Sequence, residues 1–239
     1  MSGISNNKHV IISGASRVVG ALVASKLAEQ GAVVYAGARS LGDLKRLAQD
    51  FPDNIVPLPL DVRDPVQVES FMTQVRERTQ SIDVLINNAG VGIFKHLEEL
   101  TPAEWDLMIA TNLTGPFLLA RAVIPMMKEQ REGLILQMNS VAGLEPFRNA
   151  AGYCASKYGL HGLTQVMREE LRKFNIKVVE LHPGAIASTW WDQVPGSENL
   201  PRDKMLSPET VVDIILQVIS TPVEAVVEEM VIRYVGGNF

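Results

Sequence analysis

The chain has one cysteine in 239 residues, Cys154, and a single thiol excludes an intrachain disulfide framework and a cysteine-cluster metal site. That usage fits a reducing compartment, so a cytoplasmic location is expected. Positive charge is not in excess either: 22 Lys plus Arg stand against 27 Asp plus Glu, a net charge of -5, which offers no field for nucleic acid or anionic lipid. No stretch reaches the roughly 18 uninterrupted apolar residues of a membrane span. The segment 113–127 is broken by Gly115, Pro116 and Arg121, and 211–219 is short and carries Asp213. Residues 1–7 are polar, without the apolar core of a secretion signal. Repeats, low-complexity tracts and long linkers are missing as well, so one domain over 1–239 is expected. His9, His96, His161 and His182 show no ligand spacing, and no metal site is expected.

What is present is an alternation. Short β-branched runs (9–13, 33–38, 55–60, 84–87, 133–139, 177–181 and 229–233) are separated by amphipathic stretches at 19–30, 41–50, 65–78, 101–130, 151–174 and 207–220. That order predicts an α/β fold, a doubly wound parallel sheet of about seven strands in a three-layer α/β/α arrangement. Punctuation agrees with it. Gly31 stands where a helix C′ glycine belongs, Asp64-Pro65 sets a cap before a first-turn proline, and Thr101-Pro102-Ala103-Glu104 combines that proline with a capping box.

Three strand ends carry ligand chemistry. The first strand runs into Ser13-Gly14-Ala15-Ser16-Arg17-Val18-Val19-Gly20 and then a helix, a context in which small residues let backbone amides and the helix N-terminus face a pyrophosphate. The third ends on Asp61-Val62, where a carboxylate can accept from an adenine amino group; the fourth ends on Asn87-Asn88-Ala89-Gly90, at the edge where open α/β sheets bind ligands. Taken singly, each is ordinary turn chemistry. Farther on, Tyr153 and Lys157 begin a helix at i, i+4 spacing, with Cβ atoms about 6 Å apart on one face. A tyrosine of ordinary pKa near 10 is a poor acid at neutral pH, and a fixed positive charge beside it is expected to move it toward the working range.

Read in order, these motifs resemble the short-chain dehydrogenase/reductase family in its single-domain, NAD(P)-dependent, Rossmann-type branch, including 3-oxoacyl-[acyl-carrier-protein] reductase-like members. The resemblance covers essentially the whole chain. The family's first motif is Thr-Gly-x-x-x-Gly-x-Gly: Ser13 stands for the threonine, Gly14 and Gly20 match, and Val18 replaces the middle glycine. A β-branched residue there disfavours positive φ and is expected to weaken cofactor binding without abolishing it. NAD-using members end the second strand with an acid that binds both ribose hydroxyls. Here Ala38 is followed by Arg39, and with Arg17 in the glycine turn the pair could flank a 2′-phosphate, so NADP, with NADPH over NADH, is the expected cofactor.

The resemblance also assigns roles. Ser140, at the end of the fifth strand, matches the catalytic serine, whose hydroxyl hydrogen-bonds the substrate oxygen; Asn112 matches a helix-bending asparagine that completes the catalytic set Asn112, Ser140, Tyr153 and Lys157. Lys157 also binds the nicotinamide ribose. Pro183, Gly184 and Ile186 match the Pro-Gly motif after the sixth strand, with Ser188 for its carboxamide-binding threonine. With Gly14, Ser16, Arg17, Val18, Val19, Gly20, Arg39, Asp61, Val62, Asn88, Ala89, Gly90, Tyr153 and Lys157 they form the expected nucleotide site.

The segment 187–206 has no strong pattern but carries Trp190-Trp191, and it is expected to be a substrate loop. With Leu144 and Phe147 the tryptophans suggest a partly apolar pocket for a small carbonyl or alcohol: a 3-oxoacyl thioester, a ketone or a small cyclic carbonyl. Cys154 points about 100° away from Tyr153 around the helix and reads as packing. Family members of this length form dimers or tetramers through the helices at 101–130 and 151–174, and a homodimer or homotetramer is expected. A nucleotide-binding regulator or scaffold that keeps the fold without turnover is the competing reading, supported by Val18. An epimerase or dehydratase of the longer branch needs a C-terminal substrate domain for which 239 residues leave no room.

Overall fold

β-branched runs buried on both faces cannot alternate polar with apolar residues, and here they form seven parallel strands under helices. The computed structural model describes residues 7–194 and 200–236. Most of the polar N-terminus, the stretch 195–199 of the expected substrate loop, and the last residues to Phe239 lie outside the described residues. The strands are β1 (His9–Ser13), β2 (Val33–Ala38), β3 (Ile55–Pro59), β4 (Val84–Asn87), β5 (Gly133–Met138), β6 (Ile176–Pro183) and β7 (Glu229–Ile232). The helices are α1 (Val18–Glu29), α2 (Leu41–Gln49), α3 (Pro65–Arg76), α4 (Pro102–Ile109), α5 (Gly115–Gln130), α6 (Ala151–Leu171) and α7 (Pro208–Ile219).

The sheet order is β3-β2-β1-β4-β5-β6-β7, every pair parallel. From β1 the chain winds outward to β3, then returns to β4 and winds the other way. Connections leaving β1 and β4 therefore diverge and open a crevice at the C-terminal edge of the sheet. Side-chain alternation splits the core in two. Val10 and Ile12 of β1 join Val23 and Leu27 of α1 and Val211 and Ile215 of α7 on one face. Ile11 between them joins Phe71 of α3, Leu119 and Val123 of α5 and Met167 of α6 on the other.

Local signals act as their chemistry suggests. Gly31 takes φ +84° after α1; the Asp64 side chain accepts from the Val66 and Gln67 amides, and Thr101 and Glu104 close a reciprocal capping box. The helix expected over 101–130 departs from regularity: α4 and α5 are joined by a wider π turn, Ala110–Thr114. An extra residue in the turn re-aims side chains, and here it carries Asn112 inward. This rod is long and apolar enough, by length and composition, to cross a membrane. It is a core helix, with Leu119, Val123 and Met127 packed beneath the sheet. The 187–206 segment has more order than its sequence suggests: short 3-10 turns at Thr189–Gln193 and Arg202–Lys204, and its two ends tied by a bridge between Ile186 and Leu206.

Candidate active site

A cavity of about 840 Å³ runs along the C-terminal sheet edge, from the β1–α1 turn at one end to Trp190 and Trp191 at the other. At the first end the backbones approach closely. Gly14 has φ +69°, and a Cβ there would lie 2.9 Å from the Ala89 Cα, so only glycine fits. The Asn88 amide donates to the Ser13 and Gly14 carbonyls at 3.1 Å each, while the Ser13 hydroxyl accepts from the Asn88 and Ala89 amides. Asn88 is thus a clamp between the two strand ends as well as a cavity wall. Gly20, expected at the nucleotide, does not line the cavity; it packs behind the turn, where a Cβ would meet the Gly14 carbonyl at 2.3 Å. Its signal is one of packing.

Val18 sits at φ +46° on the cavity wall. A β-branched residue in the left-handed region costs about 1–2 kcal/mol, and Val18 lines the cavity at this turn. Val18→Gly is expected to tighten nucleotide binding about fivefold, the equivalent of about 1 kcal/mol. A dissociation constant unchanged by the substitution, measured by nucleotide fluorescence, contradicts this.

The neighbouring charges are unevenly engaged. Asp61 is held by Arg63 through its backbone amide and its guanidinium, and that hydrogen bond keeps the carboxyl below its ordinary range against the upward pull of burial. Asp61, expected to accept from an adenine amino group, lines the cavity with Arg63 on its carboxylate. Arg17 approaches Asp43 at 3.8 Å. Arg39 lines the cavity at the end of β2 and makes no hydrogen bond or ion pair among the described residues. Ser16, Val19, Val62, Gly90, Pro183, Gly184, Ile186 and Ser188 complete the wall on this side. A glycine turn, a helix N-terminus without acidic residues in its first turn and the Arg39 guanidinium, whose charge also reaches Asp61, suit a phosphorylated dinucleotide.

At mid-cavity, β5 delivers Ser140 and α6 delivers Tyr153 and Lys157 to the same wall. The Ser140 hydroxyl accepts from the Ala142 amide at 3.1 Å, which fixes its oxygen, and it hydrogen-bonds the Tyr153 phenol. Lys157 is 4 % exposed and donates to the Met138 carbonyl at 2.8 Å. Burial lowers its pKa from 10.5 to about 8, against a raising effect from the Glu180 carboxylate. The expected effect of Lys157 on the phenol does not dominate here. Its Nζ lies 5.8 Å from the Tyr153 ring centroid, and burial pushes the Tyr153 phenol above its usual pKa while interaction with Ser140 pulls the other way. Desolvation sets the direction, so Tyr153 rests as a protonated phenol.

Asn112 does not line the cavity. It is fully buried, exchanges hydrogen bonds of 2.8 Å with both backbone groups of Val91, and donates to the Ser156 hydroxyl at 2.9 Å. It pins the loop after β4 to α6, one residue from Lys157. At the far end, Phe94 packs on Tyr153, Trp190 and Trp191 with ring centroids 5.5, 6.1 and 6.1 Å away. Sequence reasoning missed Phe94, which sits in a loop without periodicity; the nearby Gly92, onto which Trp190 folds, was its one signal. It also missed a buried cluster behind the site, where His161 and His182 meet Glu180.

The sequence model of the family described as short chain dehydrogenase matches residues 8–198. Sepiapterin reductase from Chlorobaculum tepidum is 32% identical over 97% of this chain and 98% of its own. Among solved structures, an alcohol dehydrogenase from Thermococcus sibiricus complexed with 5-hydroxy-NADP superposes with a TM-score of 0.89 at 30% identity, covering 98% of this chain and 99% of the other. A metagenomic short-chain oxidoreductase in complex with NADP gives 0.83 at 32% identity over 95% and 97%.

Proposed function

The chain belongs to the short chain dehydrogenase family, and we propose that it is an NADP(H)-dependent reductase of small carbonyl compounds. The observation that carries this reading is the convergence of Ser140, Tyr153 and Lys157 on a cavity whose other end is the β1–α1 turn. When bound, the nicotinamide nucleotide supplies a hydride to the carbonyl carbon. Tyr153, held as a phenol, donates its proton to the carbonyl oxygen, and the Ser140 hydroxyl donates a hydrogen bond to that oxygen as charge builds on it. Lys157 keeps a positive charge close to the same point. Reduction is the direction that follows from NADPH as the hydride donor.

Arg39 supports NADP(H) over NAD(H), with Arg17 beside it, and the NADP-bound relatives agree. Arg39→Ala is expected to raise the KM for NADPH about ten- to hundredfold and leave that for NADH unchanged, the loss of one or two charge-assisted hydrogen bonds. An unchanged preference sinks the assignment. The aromatic wall of Phe94, Trp190 and Trp191 suits a flat or apolar carbonyl. Exposed Trp105, Phe117, Tyr158 and Val166 on α4, α5 and α6 support a homodimer or homotetramer through those helices.

The test is NADPH oxidation followed against ketones, cyclic carbonyls and 3-oxoacyl thioesters, with Tyr153→Phe as control. Turnover that disappears in the control supports the reading. A protein that binds NADPH yet turns over no carbonyl would instead be the scaffold that Val18 suggests.

A further inference from the structure

Behind the catalytic wall lies a carboxylate that the reaction does not touch. Glu180 on β6 is fully buried, as are His182 and Thr164. One carboxylate oxygen accepts from the Asn139 amide at 2.5 Å and from the Thr164 hydroxyl at 3.4 Å; the other lies 2.8 Å from His161 Nδ1 and 3.6 Å from His182 Nε2. These partners reach the catalytic residues. Asn139 donates to the Lys157 carbonyl at 3.1 Å and accepts from the Ser140 amide at 2.9 Å, and His182 Nδ1 faces the Ser140 carbonyl at 3.1 Å. Both peptide groups of Ser140 and the carbonyl of Lys157 therefore hang from groups that Glu180 holds.

We infer that Glu180 is a positioning residue for the proposed reaction: through Asn139 and His182 it fixes the backbones of Ser140 and Lys157, and it supplies the buried negative charge that faces Lys157. The inference rests on the reductase reading above. An unpaired buried carboxylate is costly, and a carboxylate within reach of a buried ammonium stabilises it. Glu180 raises the pKa of Lys157 against its burial. The titratable groups that meet the pair are Tyr153 and His161 from α6 and His182 from β6, and the turn after β5 contributes the Asn139 amide.

A metal ion is the other occupant to weigh, because His161 Nδ1, Glu180 Oε2 and His182 Nε2 lie within 4.8 Å of one another. The 2.8 Å contact between His161 and Glu180 argues for a shared proton; two ligands of one zinc at about 2.0–2.1 Å stand about 3.3 Å apart. His182 is tied elsewhere: its Nδ1 meets the Ser140 carbonyl at 3.1 Å, and its Nε2 lies 3.6 Å from the same carboxylate oxygen.

Glu180→Gln keeps the shape and removes the charge. It is expected to lower kcat about ten- to hundredfold with little change in KM, the cost of a loosened catalytic geometry, and to move the alkaline limb of the rate profile about one pH unit lower. Glu180→Asp, which keeps the charge, should restore that limb. Lysine-selective NMR reads the titration of Lys157 directly and needs no substrate, so it separates this inference from the reductase reading. A titration midpoint equal to that of the unaltered protein overturns the inference, and so does stoichiometric zinc held by these three side chains. If Glu180→Gln does not fold, His182→Gln reads the relay from its other end: kcat should fall with the limb unmoved, and an unchanged kcat overturns it.

Discussion

Lys157→Met is expected to give a protein that is more resistant to heat and almost without turnover. Lys157 is nearly fully buried, and burial lowers its pKa from 10.5 to about 8. Between those two values the unfolded chain binds the proton and the folded one does not, so stability rises with pH across that window. Below about pH 8 both states carry the proton, and the fold bears the full desolvation cost of about 3 kcal/mol. Methionine removes that cost and forfeits the hydrogen bond to the Met138 carbonyl, worth about 1 kcal/mol. A net gain of about 2 kcal/mol at neutral pH corresponds to about 5 °C in Tm for a chain of this size. The gain should shrink as pH rises from 8 toward 10.5. Thermal unfolding at pH 7 and pH 10 checks it, and a variant less stable than the unaltered protein at pH 7 contradicts the account of Lys157 as a strained cation. Its retention at that cost is what a functional charge requires.

The second large effect is in kcat. Tyr153→Phe removes one hydroxyl and leaves the ring against Phe94 and Trp190, whose centroids lie 5.5 and 6.4 Å away. Fold and nucleotide affinity should be nearly unchanged while kcat falls about a thousandfold, the range of a lost general acid. Steady-state kinetics beside nucleotide titration separates the two. A variant that keeps a tenth of the activity or more removes Tyr153 from the chemistry.

The sheet was legible because parallel strands buried on both faces leave β-branched runs that helical periods interrupt. β1, β2 and β4 begin and end where those runs do. The π turn at Ala110–Thr114 was foreshadowed only by the resemblance's helix-bending asparagine, and its cause is tertiary: Asn112 bonding Val91. Tyr153 and Lys157 were legible from their spacing and Ser140 from the family resemblance, and the cavity gathers them. The state of Tyr153 was not, because a residue pair shows the ammonium and hides the desolvation that raises the phenol. Asp61 and Glu180 show the same limit. What each carboxylate does depends on Arg63 in one case and on Asn139, His161 and His182 in the other, and of the latter three Asn139 and His161 lie far from Glu180 in sequence. Val18 was readable as a departure, and its φ of +46° gives that departure a physical cost.

The central claim is that Tyr153 serves hydride transfer at a carbonyl carbon. Incubation with NADPH carrying deuterium at the nicotinamide C4, followed by mass spectrometry of the products of a ketone panel, tests it most directly. The account predicts an alcohol with one deuterium on the former carbonyl carbon, formed by the unaltered protein and reduced about a thousandfold in Tyr153→Phe. Label that reaches no product from a protein that binds the nucleotide, or that transfers equally well without the Tyr153 hydroxyl, contradicts it.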